Sequence, residues 1–365
     1  MKILQVGLGN NPGGMETFVM NYYRELSAQG ISFDFLCMYE KIAYEEEIKE
    51  LGGRVFYVPN VKKDYRGYVK QVRQLLRREK YDVVHVNMLS AANIVPLRLA
   101  HETGVKKIFA HSHNASVPGL MRKVMDRCNR GKVSLYATGK LACGEAAGRW
   151  MFGDEAFEKG EVTLVSNAID VEKYVYSSEN RKNIRNELAL DGRFVIGHVG
   201  RFDLQKNHDG LIRIFGEVVK QDSRAVLCLV GDGSLREAAE EKIRSAGLTA
   251  NVVFAGIRPD VEALLSAFDV FVLPSLFEGL PFTLLEAQAN GLACVISDKI
   301  TREAAVLDDQ VESLPLEGAD SLWVKAILKH KNEKRKDEGV IRAKLADAHF
   351  DIKKEAGRLL ALYEA

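Results

Sequence analysis

Residues 194–221 read FVIGHVGRFDLQKNHDGLIRIFGEVVKQ. The apolar run Phe194–Val199 is followed by a glycine and a polar loop, and then by Leu211, Ile214, Phe215 and Val218, which share one face at helical spacing. A buried strand feeding a loop and an amphipathic helix is the repeating unit of a parallel sheet covered by helices. Toward the C-terminus the unit recurs: strand Ala225–Val230, helix Leu235–Ala246, strand Asn251–Ala255, helix Val261–Ala267, strand Val270–Leu273, helix Pro281–Asn290, strand Cys294–Ser297. Toward the N-terminus the same grammar appears a second time. Strand Ile3–Val6 leads through the turn Gly7–Gly14 into a helix with Met15, Phe18, Val19, Tyr22 and Leu26 on one face. Strands Phe33–Met38, Val55–Val58, Asp82–Val86 and Lys107–Ala110 follow, separated by helices such as Tyr68–Arg78 and Asn93–Glu102.

The fold class expected is therefore α/β, with two doubly wound Rossmann-like domains facing one another across a cleft. The length of 365 residues suits two domains of about 150 residues each. The joint is placed near Ser166–Tyr176, giving a first domain over 1–166 and a second over 167–349. The last helix, Asp351–Glu364, carries Ile352, Ala356, Leu359, Leu360 and Tyr363 on one stripe and must cover apolar surface, so 350–365 are expected to return to the first domain.

Composition narrows the class further. An apolar fraction of 47% and a charged fraction of 28% are those of a globular protein and exclude a disordered or fibrous chain. No apolar run approaches the roughly 18 residues of a membrane span, and MKILQVGLGNNPGG has no signal-peptide pattern, so a cytoplasmic location is expected. Cys37, Cys128, Cys143, Cys228 and Cys294 are scattered, without a Cys-x-x-Cys spacing, and read as reduced core thiols. Net charge is +1, yet 1–166 carry 24 Lys+Arg against 18 Asp+Glu, net +6. Lys62–Lys80 alone accounts for that excess, with eight cations against Asp64 and Glu79. Tyr65, Tyr68, Val69, Val72, Leu75 and Leu76 are interleaved, and Leu120–Lys132 adds Arg122, Lys123, Arg127, Arg130 and Lys132. Peripheral contact of 62–80 with an anionic membrane surface is the reading this supports, the alternative being a solvated basic helix.

Ligands of open α/β folds bind at the carboxyl ends of the strands, so the chemistry belongs in the strand-to-helix loops. In Gly200-Arg201-Phe202-Asp203-Leu204-Gln205-Lys206-Asn207, Arg201 and Lys206 are placed to converge on a diphosphate, against the alternative of two solvated surface cations. In PSLFEGLPFTLLE, Pro281 suits the first turn of a helix because its missing N–H would be unpaired there anyway, so the amides of the Gly279–Thr283 stretch around it, those of Gly279, Leu280, Phe282 and Thr283, form an anion site. Glu278 then stands at the mouth, and Glu286 deeper, where it can accept from a ribose diol. In the first half, Gly13-Gly14 opens a helix whose N-terminus can meet phosphate, but Pro12 stands where a third glycine would complete Gly-x-Gly-x-x-Gly, which excludes NAD and FAD. His85, His111 and His113 lie on or beside strand ends and His101 on a helix; at such an end His113 is a candidate sugar-hydroxyl partner or proton acceptor.

With these residues assembled, the chain resembles a family 4 retaining glycosyltransferase of the GT-B fold, similar to those of bacterial exopolysaccharide and capsular polysaccharide assembly. The resemblance spans nearly the whole chain. It rests on Gly13-Gly14-Met15-Glu16, DVVHVN, Ser166-Asn167-Ala168-Ile169-Asp170, Gly200-Arg201 with Lys206-Asn207, Gly231-Asp232-Gly233, and the Glu278 and Glu286 pair in FEGLPFTLLE. It implies a nucleotide diphosphate sugar, with UDP the expected nucleotide, held mainly by the second domain: Arg201 and Lys206 on the diphosphate, Glu286 on the ribose, Glu278 beside the sugar, and the backbone of Gly256–Arg258 near the base. It places His113, followed by Asn114 instead of the usual Asp or Gly, at the active-site histidine, with His111 the neighbouring alternative. It further implies transfer to a hydroxyl of a saccharide or lipid-linked acceptor without a cofactor or metal, and without a nucleic-acid partner. Nothing resembles an Asp-x-Asp metal motif, since Asp232 stands between glycines and Asp308-Asp309 lies in a late polar loop. A nucleotide-sugar epimerase of the same fold would need further first-domain carboxylates, where the loops offer only Glu16. A non-catalytic nucleotide-sugar-binding protein would keep Arg201 and Lys206 but lose nothing when Glu278 becomes Gln.

Overall fold

The computed structural model describes residues 1–115 and 119–365. In chain order the first elements are β1 (Ile3–Val6), α1 (Gly14–Ala28), β2 (Phe33–Cys37), α2 (Glu45–Glu50), β3 (Arg54–Tyr57), α3 (Tyr65–Glu79), β4 (Val83–Met88) and α4 (Val95–Glu102). Then come β5 (Lys107–Ser112), α5 (Leu120–Tyr136), β6 (Gly139–Ala142), α6 (Glu145–Phe152), α7 (Asp154–Glu158), β7 (Val162–Leu164) and α8 (Ser178–Glu187). The middle of the chain forms β8 (Phe194–Val199), α9 (His208–Gln221), β9 (Ala225–Val230), α10 (Arg236–Ser245), β10 (Val252–Gly256), α11 (Val261–Ala267) and β11 (Val270–Leu273). Last are α12 (Phe282–Ala289), β12 (Ala293–Ser297), β13 (Val311–Leu314), α13 (Asp320–Lys329), α14 (Glu338–Asp347) and α15 (Ile352–Glu364). The chain divides into two compact units, Met1–Ala168 with Ile352–Ala365, and Ile169–Asp351.

The first unit holds a parallel sheet in the order β3-β2-β1-β4-β5-β6-β7. Side chains alternate across it as strand geometry requires. Leu4, Val6, Val84, Val86, Ile108 and Ala110 enter one core with Tyr68, Val72, Leu75 and Leu76 of α3, Leu97 and Leu99 of α4, and Val133 of α5. On the alternate positions stand Gln5, His85, Asn87 and His111, a buried polar strip. α15 belongs to this unit, and its Ile352, Ala356, Leu359 and Tyr363 are buried at a helical spacing. Each such side chain contributes about 1.5–3 kcal/mol when fully removed from water, which explains why the last helix stays folded against its unit.

Sequence periodicity did not reveal β6 and β13, and gave no bounds for β7, the strand that SNAIDVEKY leaves. These short strands run along or toward a sheet margin and carry weak apolar runs, so their pairing, not their composition, makes them strands. The thiols divide as well: Cys37, Cys143, Cys228 and Cys294 are buried, but Cys128 is exposed on α5 and is not a core thiol. A further correction concerns α3. Its Tyr68, Val72, Leu75 and Leu76 face the core, so the outward face is cationic with only Tyr65 as a large exposed ring. The exposed apolar side chains of this unit are instead on α5, where Leu120, Met121, Val124 and Met125 are 81%, 79%, 55% and 44% exposed. Among the described residues no helix is long and apolar enough to cross a membrane.

The second unit holds a parallel sheet in the order β10-β9-β8-β11-β12-β13. It is buried on both faces, so β8 sends Phe194 and Ile196 into one core and Val195 and Val199 into the other. Strand order reverses between β8 and β11, the place where the loops of two neighbouring strands diverge and leave a crevice.

Candidate functional site

The loops after β8 and β11 meet at that switch point. After β8 the chain turns through Gly200, and a short 3-10 turn, Leu204–Lys206, is capped by Asp203 and followed by Asn207 at φ 54°. Asn207 caps α9 through its side chain and also donates Nδ2 to the Pro274 carbonyl at 3.0 Å. The Leu276 amide donates to the Gln205 carbonyl at 2.8 Å. These bonds lock one loop on the other.

Glu278 is the focus of the pair. Lys206 Nζ donates to its Oε1 at 2.6 Å, Ser275 Oγ to the same oxygen at 3.0 Å, and Gln205 Nε2 to Oε2 at 2.9 Å. The Lys206 and Glu278 side chains are only 14% and 8% exposed. A cation and an anion held this far from water interact more strongly than a surface pair, and removing one leaves the other uncompensated. Gly200 makes room for this arrangement: a Cβ there would lie 3.1 Å from Lys206 Cδ and Cε. Gly231, at φ +131°, has a Cβ position only 2.1 Å from the Gly200 carbonyl oxygen, so the ends of β8 and β9 approach closely because no side chain intervenes.

The helix that follows Glu278 starts one residue later than its sequence suggests. Pro281 has extended backbone, φ −72° and ψ 121°, and is the N-cap of α12 rather than its first helical residue. No side chain caps this end, which leaves the N-terminal dipole facing the loop of Gly279 and Leu280. Phe282 is buried at the first helical position. One turn on, Glu286 is 8% exposed and accepts from Tyr174 Oη at 2.9 Å. Burial pushes its carboxyl up to about 7, while Tyr174 and the Lys173 ammonium work in the opposite direction.

Arg201 lies exposed in the Gly200–Asn207 loop, five residues before Lys206. Arg258 is engaged elsewhere: its guanidinium donates to Glu187 Oε1 at 2.5 Å and to Asp260 at 2.7 Å through two nitrogens, and these carboxylates hold it firmly charged. Among the described residues, no group of three or more His, Cys, Asp or Glu side chains is arranged to hold a metal ion.

The first unit carries its own polar cluster. Gly13 is the uncapped N-cap of α1, and a Cβ built on Gly14 meets nothing within 4 Å, so the backbone there is open. Glu16 turns back to accept from the Gly9 amide at 2.9 Å and is buried. His113 follows β5, half-buried, and its Nε2 lies 3.0 Å from Asn87 Oδ1. His111 is fully buried, stacked on His113 with ring centroids 4.2 Å apart. Burial drives the imidazolium of His85, His111 and His113 down in pKa, so all three rings are neutral near pH 7.

Sequence reasoning reached Lys206, Glu278, Glu286 and His113 but missed Gln205, Ser275, Tyr174 and Asn87, the groups that hold them. Gln205 and Ser275 adjoin recognised residues in their loops. Tyr174 ends SNAIDVEKY and gave no local sign of its partner 112 positions away.

Comparison with known proteins bears on both units. The family described as Glycosyltransferase Family 4 matches residues 12–173, and Glycosyl transferases group 1 matches residues 180–339. EpsF of Bacillus subtilis (strain 168), described as a glycosyltransferase, is 36% identical over 372 residues, covering 99% of this chain and 96% of its own. The UDP-Gal:alpha-D-GlcNAc-diphosphoundecaprenol alpha-1,3-galactosyltransferase of Escherichia coli is 28% identical over 260 residues, 67% of this chain and 66% of its own. Anabaena Alr3699/HepE, solved in complex with UDP, superposes with a TM-score of 0.81 at 18% identity, over 100% of both chains. Two parallel α/β units, the loop pair around Glu278 and a full-length relative at this identity lead to one conclusion: the chain is a glycosyltransferase, a member of the family 4 group, with the GT-B fold.

Proposed function

We propose that the protein is a retaining transferase that moves a sugar from a UDP-sugar to a hydroxyl of a saccharide or lipid-linked acceptor in surface polysaccharide assembly. The observation that carries the reading is the buried Lys206–Glu278 pair beside the uncapped start of α12. The leaving group is a diphosphate, and negative charge grows on it as the glycosidic bond breaks. Lys206, Arg201 and the amide end of α12 from Gly279 to Phe282 are fixed donors for that charge, the kind of preorganised electrostatics that dominates such catalysis. Glu278, held by three donors, stabilises the cationic sugar rather than attacking it. Glu286 accepts from the ribose diol, and the backbone of Gly256–Arg258 borders the base. In the transfer itself the bond from the anomeric carbon to the diphosphate oxygen breaks, the acceptor oxygen bonds on the same face, and the acceptor proton passes to the departing diphosphate.

UDP as the nucleotide is supported by its place in the names of the E. coli relative and of the solved HepE complex. A lipid-linked acceptor draws support from the diphosphoundecaprenol acceptor of the former. On this reading Gly14 opens the start of α1 to an anionic group of the acceptor, and His113 is a partner or proton acceptor for a sugar hydroxyl. The reaction needs no divalent metal because cationic side chains and helix amides take the role a metal would have at the diphosphate. The outward face of α3 together with the exposed apolar start of α5 docks the protein on the inner membrane face. An epimerase is disfavoured because Glu16, the carboxylate it would require, is committed to the Gly9 amide.

The decisive experiment combines a UDP-sugar panel, anomeric analysis of the product by NMR, and Glu278→Gln. Retained configuration in the presence of EDTA, with turnover lost but UDP binding kept in Glu278→Gln, is the expected result. Unchanged turnover in that variant, or inversion, would overturn the reading.

A further inference from the structure

The polar strip on the first sheet forms a continuous chain of hydrogen bonds whose direction can be derived at its His113 end. Asn87 Nδ2 lies 3.3 Å from the Val6 carbonyl and 2.9 Å from Gln5 Oε1. A backbone carbonyl only accepts, so the Asn87 amide is oriented with Nδ2 toward Val6 and Oδ1 toward His113. Oδ1 likewise only accepts, and His113 Nε2 at 3.0 Å must therefore carry the proton. With Gln5 Oε1 accepting from Asn87, Gln5 Nε2 donates to Tyr363 Oη at 3.3 Å. Tyr363 Oη is 2.5 Å from His85 Nδ1, and His85 Nε2 is 3.1 Å from His111 Nδ1, so these two rings share one relay whose direction follows the His85 tautomer. Of the three rings, His113 is the one whose tautomer an acceptor-only partner fixes, and His111 Nε2 ends the chain with no partner.

His113 differs from the other two in one respect. Its Nδ1 receives no hydrogen bond from the described residues, and the residue is half-buried, whereas His111 is fully buried with its Nε2 unpartnered. We infer that Asn87 is a positioning residue that holds His113 as the Nε2–H tautomer and turns its Nδ1 lone pair outward, as the acceptor for a hydroxyl of a bound sugar. The inference rests on the proposed role of His113 and adds its geometry: a neutral imidazole with a fixed tautomer can receive a hydroxyl proton only at Nδ1. Val6 anchors Asn87 independently of Gln5, so the two halves of the chain separate. Loss of Tyr363 frees His85 and His111, whereas loss of Asn87 frees His113.

The test uses the full-length protein labelled with 15N in histidine, with ring signals assigned from single His→Gln variants. His113 is expected as Nε2–H between pH 6 and 8; an Nδ1–H form there overturns the inference. Tyr363→Phe should disturb the tautomers of His85 and His111 and leave His113 unchanged, with kcat within about threefold of wild type. Asn87→Leu should give mixed tautomers at His113 alone and lower kcat about 10- to 100-fold, with KM for the nucleotide sugar little changed. Should Asn87→Leu fail to fold, the wild-type and Tyr363→Phe spectra still decide the assignment. Hydrolysis of UDP-glucose, UDP-galactose and UDP-N-acetylglucosamine is compared with transfer from the same donors to octyl glucoside: loss in both assigns the contact to a donor hydroxyl, loss in transfer alone to an acceptor hydroxyl. If His113→Ala leaves turnover intact, the proposed role of His113 falls; if it abolishes turnover while Asn87→Leu changes neither tautomer nor kcat, the positioning role falls and the site reading survives.

Discussion

Lys206 Nζ and Glu278 Oε1 are 2.6 Å apart although 72 residues separate them in the chain, and both side chains are nearly sealed from water. The ammonium is neutralised by the carboxylate beside it. Removing either partner leaves a buried charge, so Lys206→Met and Glu278→Gln should each destabilise by about 3 kcal/mol, while the double variant should lose clearly less than the sum. Chemical unfolding of the four proteins checks this; strict additivity would mean the pair is not coupled.

Glu286 sets a pH dependence whose sign is opposite to that of an ordinary surface carboxylate. Its folded pKa, about 7, is above the unfolded value near 4.5. Its contribution to stability is therefore complete below about 4.5 and declines as pH rises through about 7. The apparent Tm of the ligand-free protein should fall over that window, and Glu286→Gln should flatten the slope. A hydroxyl donor such as a ribose diol favours the ionised form, so UDP binding should release a proton near pH 6.5, detectable by calorimetry in buffers of different ionisation enthalpy.

Tyr174 Oη donates to Glu286 Oε1 and lowers its pKa. Tyr174→Phe should accordingly move both the stability slope and the proton release to higher pH, and weaken UDP binding at pH 7 by roughly three- to tenfold, the value of one ordinary hydrogen bond. An unchanged pH profile of UDP affinity would show that Tyr174 has no influence on Glu286.

Gly231 sits at φ +131° with its missing Cβ 2.1 Å from the Gly200 carbonyl oxygen. Gly231→Ala must move the start of the Gly200–Asn207 loop, and should cost about 2 kcal/mol or more and reduce UDP affinity, whereas Gly247→Ala, at φ +69° with nothing near its Cβ position, should cost about 1 kcal/mol and leave UDP affinity alone. Equal effects of the two on UDP binding would remove the claim that this approach shapes the site.

For the membrane reading, apolar and ionic parts separate by helix. Leu120→Asp with Met121→Asp should abolish flotation with vesicles of phosphatidylcholine and phosphatidylglycerol, because these side chains are 81% and 79% exposed. Arg66→Glu with Lys70→Glu, exposed on α3, should weaken binding by about 1 kcal/mol per cation or more and diminish its salt dependence. Indifference to lipid charge in the unaltered protein would end the proposal.

What the sequence by itself determined is local. Alternation of strand and helix, read from Phe194–Val199 with Leu211–Val218 and repeated in both halves, requires parallel sheets, since each amphipathic helix needs a strand face to cover. The glycine turns and the Glu278-Gly279-Leu280-Pro281 loop were legible as strand-to-helix loops, the part of such a fold where ligand chemistry is sought. Tertiary structure decided which of those groups meet. That Lys206 meets Glu278 follows from β8 and β11 being neighbours at the switch in strand order. That Gln5, His85, Asn87 and His111 join Tyr363 in one chain follows from strand register and from α15 returning to the first unit. Periodicity reports only which side of its own element a residue occupies; the partner on another element is set by sheet order and packing, where sequence distance no longer measures distance in space.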